Sequence, residues 1–151
     1  MTMNSEYRIR KAEINDIHSL SELYHAFVGQ HSNTANMVEQ LEIISGNPCY
    51  YLAVACDGNQ VMGTAMGIVC FSLVGNCNPY MMIENVVVAS EYRGKGIGRL
   101  LMHSLEEFAR DNHCNYLILV SGIHRSEAHE FYETIGYERH AGFEKRLSPQ
   151  I

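Results

Sequence analysis

Apolar residues recur along this chain at two spacings, one typical of helices and one typical of strands. In residues 17–28 and again in residues 36–45 they fall three and four positions apart, which predicts two amphipathic helices near the start of the chain. The first of these follows Asn15 or Asp16 as a candidate N-cap. A Gly-Asn-Pro tripeptide at residues 46–48 ends the second.

Apolar runs without helical spacing predict the strands of one sheet. Residues 50–56 and 61–73 are joined by an Asp-Gly-Asn tripeptide, which is a strong signal for a hairpin. Residues 80–89 are apolar except for Glu84 and Asn85, and such a run is typical of a central strand that is covered on both faces. Three further strands are predicted, at residues 7–11, at residues 116–120 and at Tyr137 followed by residues 143–147.

Two more helices complete the predicted secondary structure. They cover residues 96–112 and 126–135, and Gly136 stands at the C-terminal position where glycine often ends a helix. Early hairpin strands followed by strand, helix, strand, helix and strand indicate a three-layer α/β fold, with a mixed, mostly antiparallel central sheet flanked by helices. The chain of 151 residues contains no linker-like stretch, so we expect residues 1–151 to form a single domain.

Composition narrows the function classes. Eleven basic against seventeen acidic residues give a net charge of −6, which disfavours nucleic-acid binding because that binding needs a basic face. The N-terminal residues lack a secretory signal, and the longest apolar stretch is too short to span a bilayer. Five cysteines without a C-x-x-C pair indicate reduced thiols, and no Cys or His pair has metal-ligand spacing. We therefore expect a cytoplasmic protein without a metal that binds neither nucleic acid nor membrane.

Charge is distributed unevenly along the chain. Residues 12–92 contain eight acidic residues and no lysine or arginine. Residues 91–99, in contrast, contain Arg93, Lys95 and Arg99 against one glutamate. Two interpretations stay open: the charges cluster by chance, or one site has a cationic end for an anionic ligand and an anionic end for a cationic ligand.

The most informative motif is Arg93-Gly94-Lys95-Gly96-Ile97-Gly98-Arg99, which follows a predicted strand and opens a predicted helix. Alternate glycines let the backbone approach a ligand closely and turn successive N–H groups toward it. The helix N-terminus and three basic side chains add positive potential. The segment therefore predicts a site for a diphosphate or a similar anion. It matches neither the Walker pattern nor the dinucleotide fingerprint, whose sixth position would fall on Arg99.

This motif resembles the acetyl-CoA signature of the GNAT N-acetyltransferase superfamily, in which Arg or Gln is followed after two residues by Gly-x-Gly or Gly-x-Ala. Arg93, Gly96 and Gly98 match that pattern. Downstream, residues 128–137 (AHEFYETIGY) resemble the family's second signature, and Ala128 and Phe131 are among the matching positions. The two motifs occur in the family's order and at its usual separation, across roughly residues 82–143.

The resemblance implies acetyl-CoA as co-substrate. It implies that the amides of Gly94, Lys95, Gly96, Ile97 and Gly98 and their basic neighbours hold the pyrophosphate. It also implies that the exposed backbone of Val86, Val87 and Val88 pairs with the pantetheine arm as an added strand would. This chain departs from the family at Arg125, where many relatives carry Asn, and we assign Arg125 to a CoA phosphate instead.

The family's chemistry also suggests catalytic residues. Acetyl transfer needs a base for the amine, a donor for the thioester oxygen and an acid for the leaving thiolate. Relatives use a glutamate at the strand position of Glu84, often through a water, and burial in the apolar strand would raise the pKa of such a base. Tyr132 matches the thiolate-protonating tyrosine, and a backbone N–H of Val86 or Val87 is expected to donate to the oxyanion. The alternatives are a structural carboxylate at Glu84 and a packing role for Tyr132.

The acceptor is expected to be a small-molecule primary amine, attacked directly in a ternary complex. Because the family builds its acceptor pocket largely from the part of the chain before the glycine motif, the negative charge of residues 12–92 favours a cationic amine. One alternative is an amino sugar or amino-sugar phosphate, for which Arg125 or Arg139 are the available cations. Another is a non-catalytic acyl-CoA-binding regulatory module. Homodimers are common in the family, and the sequence identifies no interface.

Overall fold

The computed structural model describes residues 7–149 and divides into two units, one ending at Leu119 and the other beginning at Val120. In the first unit five strands form one mixed sheet in chain order. Neighbours are antiparallel from the first strand to the fourth, and the fourth and fifth are parallel. The strands are β1 (Tyr7–Lys11), β2 (Tyr50–Asp57), β3 (Gln60–Cys70), β4 (Tyr80–Val88) and β5 (Leu117–Leu119).

Three helices of the first unit cover the two faces of this sheet. They are α1 (Ile17–Val28), α2 (Thr34–Ser45) and α3 (Ile97–Asp111). On one face, Leu52, Val54 and Cys56 of β2 pack with the buried leucines of α1 and α2 in a single apolar cluster. Because successive strand residues point to opposite faces, the intervening Ala53 and Ala55 belong to the other face.

Helix α3 covers that second face, and two glycines of β3 allow it to lie close. A Cβ at Gly63 would lie 3.2 Å from Cδ1 of Leu101, and a Cβ at Gly67 would lie 2.8 Å from Sδ of Met81 and 3.3 Å from Cδ2 of Leu105. Helix, sheet and helix therefore form the three predicted layers.

The start of α1 is fixed by an ion pair. Asp16 lies at the N-cap position, as predicted, but its carboxylate makes no cap hydrogen bond to the helix. Instead it accepts two hydrogen bonds from the guanidinium of Arg10, at 2.8 and 2.9 Å, and one from the backbone N–H of Glu13 at 2.7 Å. Burial would raise the pKa of Asp16, but these bonds outweigh burial and hold the pKa below its ordinary value.

In the second unit the structure contains α4 (Ser126–Thr134), followed by Ile135 and then by Gly136 at φ 101°. The predicted helix end is therefore confirmed. The strand predicted at Tyr137 and residues 143–147 is wrong, since residues 137–149 adopt no regular secondary structure. Phe143 and Leu147 are 97% and 94% exposed. A strand is stabilised by ladder hydrogen bonds to a neighbour, which an apolar pattern alone does not supply.

The other predicted elements are confirmed, β1 and α1 at their predicted bounds and the rest with shifted ends. The largest difference is in β3, which ends at Cys70, whereas the apolar pattern predicted a strand up to residue 73. Phe71 and Leu73 are exposed in the loop that follows. None of the helices within residues 7–149 has both the length and the apolar character that a membrane crossing needs.

Candidate functional site

The glycine motif forms an open turn between β4 and α3. Gly94 and Gly96 adopt left-handed backbone conformations, with φ of 76° and 82°, that other residues rarely take. A Cβ at either position would meet no heavy atom within 4 Å. The protein's own packing therefore does not require these glycines. The backbone conformation requires them, and they leave the surface of the turn free for another molecule to approach.

Helix α3 begins without a side-chain cap. Gly96 occupies its N-cap position and has no side chain to accept a hydrogen bond. The first backbone bond into the helix runs from the N–H of Leu100 to the carbonyl of Gly96, at 3.1 Å. The N–H groups of Ile97, Gly98 and Arg99 precede that bond and so have no acceptor within the helix. Donors at the positive end of a helix are a suitable site for an anion.

Three exposed cations surround this helix start, namely Arg93, Lys95 and Arg99. Arg93 is anchored to the end of β4, where its Nε donates to the carbonyl of Val88 at 3.4 Å. The Nζ of Lys95 lies 5.4 Å from the centre of the Tyr92 ring. Among the ion pairs found within residues 7–149, none involves any of the three. The turn therefore carries positive charge that no carboxylate of the described chain neutralises by direct contact, and it fits a diphosphate.

A bulge interrupts β4 just before this turn. Thr64 of β3 pairs with Val87 and Met66 pairs with Glu84, so β4 has one residue more than β3 across this stretch. Asn85 lies in this bulge and adopts a left-handed backbone conformation, with φ of 55°. The bulge changes which side chains of β4 point to each face of the sheet. Val87 therefore packs in the apolar cluster beneath α1 and α2 (the α1–α2 cluster), whereas Met81 lies on the face that α3 covers (the α3 face).

Beyond the bulge, β4 extends past its neighbour. The ladder between β4 and β5 covers residues 81–83, and β4 continues through Val86 and Val87 to Val88. The backbone of these residues therefore lies outside the described β4–β5 ladder. Strand backbone with an open side can pair with an extended ligand.

Glu84 lies at the bulge and is exposed, so the expected burial of its carboxylate is wrong. Apolar neighbours in the sequence do not bury a charged side chain when a bulge changes the geometry of the strand at that position. The ladder pairs Glu84 with Met66, which packs against the α1–α2 cluster. Since paired residues share a face of the sheet, Glu84 is on the α1–α2 face.

In the second unit, the predicted residues lie on α4 and at its start. Arg125 is the N-cap residue and is exposed, while Ala128, Phe131 and Tyr132 are half-buried. The Tyr132 ring contacts that of Phe131, with centroids 5.3 Å apart, and meets the Tyr137 ring edge-on at 5.9 Å. Burial raises the pKa of Tyr132, and the charge of Arg125 partly opposes this. The phenol is protonated at neutral pH, as a proton donor requires, and the raised pKa makes it a weaker acid than an exposed tyrosine.

The sequence analysis did not identify two methionines as neighbours of Glu84. Met66 is its partner on β3, and Met82 precedes it by two positions on β4, so that both share its face. Methionines in apolar strand patterns are read as core, and only the register shows that these two adjoin a charged residue. Within residues 7–149, no group of three or more His, Cys, Asp or Glu side chains is arranged to hold a metal ion.

Comparisons with known proteins agree with this geometry. The family model described as "Acetyltransferase (GNAT) family" matches residues 15–137, which include the glycine motif, the β4 bulge and α4. A GNAT family acetyltransferase from Staphylococcus aureus is similar in structure, with a TM-score of 0.75 and 26% identity over 93% of this chain and 98% of that chain. The predicted three-layer fold with a mixed sheet is thereby confirmed.

Two curated relatives are similar in sequence. Streptothricin acetyltransferase A from Bacillus subtilis is 34% identical over 84 residues, 55% of this chain and 42% of that protein. Glucosamine 6-phosphate N-acetyltransferase from Trypanosoma brucei brucei is 40% identical over 58 residues, 38% of this chain and 37% of that protein. The matched region thus spans less than half the length of each relative.

Proposed function

The chain belongs to the acetyltransferase (GNAT) family, and from this membership and the site geometry we propose that it is an acetyl-CoA-dependent N-acetyltransferase acting on a primary amine. The observation that carries the proposal is the start of α3. There, N–H donors without a side-chain cap and two left-handed glycines lie beside three exposed cations that form no ion pair within residues 7–149. Such a site fits the pyrophosphate of acetyl-CoA.

Further residues would hold the rest of this co-substrate. The backbone of Val86, Val87 and Val88 extends beyond the β5 ladder and would pair with the amide groups of the pantetheine arm. Arg125, exposed at the start of α4, would contact a phosphate. An acetyl thioester supplies an activated carbonyl and a thiolate leaving group, and the protein's residues handle the protons.

Glu84 would act as the base of the reaction. An amine in water carries an extra proton, and Glu84 would accept it directly or through a water, which its exposure permits. The neutral nitrogen then attacks the thioester carbonyl, while a backbone N–H of Val86 or Val87 donates to the developing oxyanion. As the N–C bond forms and the C–S bond breaks, the nitrogen loses a second proton to solvent. Tyr132 would protonate the departing thiolate and regain its proton from solvent.

The acceptor proposed is a small cationic amine. Residues 12–92 carry eight acidic and no basic residues, and Glu39 and Glu42 are exposed on α2, on the helical layer of the face that Glu84 shares. Of the eight, Asp16 is neutralised by Arg10. Of the remaining carboxylates, those of Glu39, Glu42 and Glu84 would attract a cation to this side of the sheet. The Bacillus relative, a streptothricin acetyltransferase by its name, is consistent with an amine acceptor.

An amino-sugar phosphate is the second candidate, favoured by the similarity to the glucosamine 6-phosphate enzyme. Of the two cations considered for its phosphate, Arg139 is bound to Glu133 at 2.6 and 2.9 Å. Arg125 alone would then serve both the acceptor and CoA. This observation favours the cationic acceptor over the phosphorylated one.

The experiment is thiol release from acetyl-CoA with polyamines, aminoglycosides, amino sugars with and without phosphate, amino acids and peptides. We expect turnover with one class of cationic amine in this panel. In Glu84→Gln, kcat should fall about 10²-fold or more, the usual size of a general-base effect. Glu91→Gln, an exposed glutamate on the turn after β4, is the control and should keep the wild-type kcat. Tyr132→Phe keeps the ring contacts and should lower kcat without weakening acetyl-CoA binding.

The regulatory-module alternative predicts a different result. A module would bind acetyl-CoA, as followed by calorimetry, and release no thiol with any amine of the panel. Absence of acetyl-CoA binding would contradict the whole proposal.

A further inference from the structure

A cavity lies on the same face of the sheet as Glu84, where the end of α2 meets β1 and β2. It has a volume of about 260 Å³ and is lined mainly by Ala12, Leu41, Ile44, Leu52, Tyr50 and Ser45. One lysine and one glutamate complete the lining, so the cavity has no net formal charge. Its interior suits an apolar group and not a polycation.

The strand register connects this cavity with Glu84. Leu52, Met66 and Glu84 are consecutive partners across β2, β3 and β4. Since paired strands lie about 4.8 Å apart, Leu52 is about 10 Å from Glu84 along this row. The cavity and the proposed base therefore occupy two ends of one row on one face.

A second row beside the first is also apolar. Tyr50 pairs with Ile68, and Ile68 pairs with Met82, which adjoins Glu84 on β4. We name Tyr50, Met66, Ile68 and Met82 the apolar strip. All four side chains are partly exposed, unlike the buried residues of β2 and β3 beneath α1 and α2. Half-exposed apolar side chains gain by contact with an apolar ligand, at about 25 cal/mol for each Å² removed from water, and gain nothing from a hydrated cation.

We infer that the acceptor is an amphipathic primary amine, whose nitrogen lies at Glu84 and whose extended apolar body follows the apolar strip into the cavity. This inference rests on the proposed function, because it takes Glu84 as the amine end of the site. It narrows the cationic acceptor to a molecule with one ammonium group and an apolar body about 10 Å long. Such a body has the length of about three extended residues, or nine backbone bonds.

The test is the acetylation of linear alkylamines of increasing length. Propylamine, hexylamine and nonylamine present the same amine to Glu84 and differ only in the apolar body. We expect kcat/KM to rise with length, by up to about fourfold for each methylene that is buried. The rise should stop near nonylamine, when the chain reaches the end of the cavity.

Two variants on α2 test whether the dependence of kcat/KM on chain length arises in the cavity. Ser45→Trp places a large side chain in the cavity lining and should lower the ratio of kcat/KM for nonylamine to that for propylamine at least tenfold. Ile43→Trp is the matched control, because Ile43 is 62% exposed on the same helix and does not line the cavity. It should keep the wild-type ratio. A thermal melt of both variants checks that they are folded.

Three results would overturn the inference. One is a kcat/KM independent of chain length, and another is an equal fall of the ratio in both tryptophan variants. The third is turnover of polyamines or phosphorylated amino sugars without turnover of alkylamines, which would leave the proposed function intact. Failure of the proposed function is distinguishable, since it would show as acetyl-CoA binding without thiol release from any amine, propylamine included.

Discussion

Helices α2 and α3 begin in opposite ways. Asn33 caps α2, and its side-chain oxygen accepts a hydrogen bond from the N–H of Asn36 at 3.0 Å. Helix α3 begins at Gly96, which offers no side chain, and its first N–H groups have no acceptor within the helix and lie close in sequence to three exposed cations. An Asn cap stabilises a helix by about 1 kcal/mol relative to alanine, and glycine at this position gives up only a few tenths of a kcal/mol of that contribution. The start of α2 is thus satisfied within the protein, and the uncapped start of α3 supports the proposal that it binds an anion.

The start of α1 differs from both, because an acidic residue at its N-cap position is paired with an arginine. The carboxylate of Asp16 accepts hydrogen bonds from the guanidinium of Arg10 and from the N–H of Glu13. The negative charge at this helix start is therefore internal to the protein, whereas at α3 we propose that a ligand supplies it.

The largest effect on acetyl-CoA binding is expected at the open helix start. In Gly96→Ala, an L-residue at φ 82° costs about 1–2 kcal/mol, and its methyl group faces the approaching anion. We expect the Kd for acetyl-CoA, measured by calorimetry, to rise at least about tenfold, the equivalent of 1.4 kcal/mol. Gly58→Ala is the matched control, since Gly58 also has a positive φ of 57° and no atom within 4 Å of an added Cβ. Equal affinity in the two variants would contradict an anion site at α3.

The internal charge at α1 predicts a pH effect. The pKa of Asp16 is lowered in the folded protein, so the unfolded chain binds its proton more readily. The stability contributed by Asp16 is therefore complete above the ordinary carboxyl pKa of about 3.9 and is lost as pH falls through the lower folded value. Asp16→Asn should lower the free energy of unfolding at neutral pH by about 2 kcal/mol, as expected for hydrogen bonds to a charged group.

Urea unfolding at several pH values measures this effect. The difference between wild type and Asp16→Asn should shrink as the pH falls below the ordinary carboxyl pKa of about 3.9. Asp57→Asn, at an exposed position at the end of β2, serves as the control and should behave as wild type. A difference that does not change with pH would mean that packing, and not charge, accounts for the loss.

The smallest effect is expected at the capped helix. Asn33→Ala should lower the free energy of unfolding by about 1 kcal/mol and leave the affinity for acetyl-CoA unchanged. Asn36→Ala retains the backbone N–H that is capped and should be nearly neutral. If Asn33→Ala weakened acetyl-CoA binding as Gly96→Ala does, the two helix starts would not differ in function.

Local patterns predicted the elements of the fold well. The spacing of apolar residues gave α1, α2 and α3 to within two residues at either end, and the Asp-Gly-Asn turn gave the β2–β3 hairpin. The glycine motif lies at the start of a helix, as expected, because glycine and charge act over a few neighbouring residues. The strand at residues 143–147 could not be decided in this way, because a strand depends on a partner that is distant in sequence.

The candidate site was predicted in part. The residue types of the glycine motif indicated an anion, and the structure adds the conformations that leave its donors open. Glu84 was identified by type, but its exposure was not, because the bulge at Asn85 depends on register with β3. The single-domain expectation and the roles of Glu84 and Tyr132 stay predictions.

The sequence by itself determined the order of helices and strands, the cationic glycine turn and the acidic first half of the chain. These follow from interactions between residues that are close along the chain, or from composition. Only the tertiary structure decided that Met66, Met82 and Glu84 share one face, that β4 extends past β5 and that a cavity lies at the other end of the row of strand partners that contains Glu84. The physical reason is that strand register and bulges are set by hydrogen bonds between distant segments, and a shift of one residue moves a side chain to the opposite face.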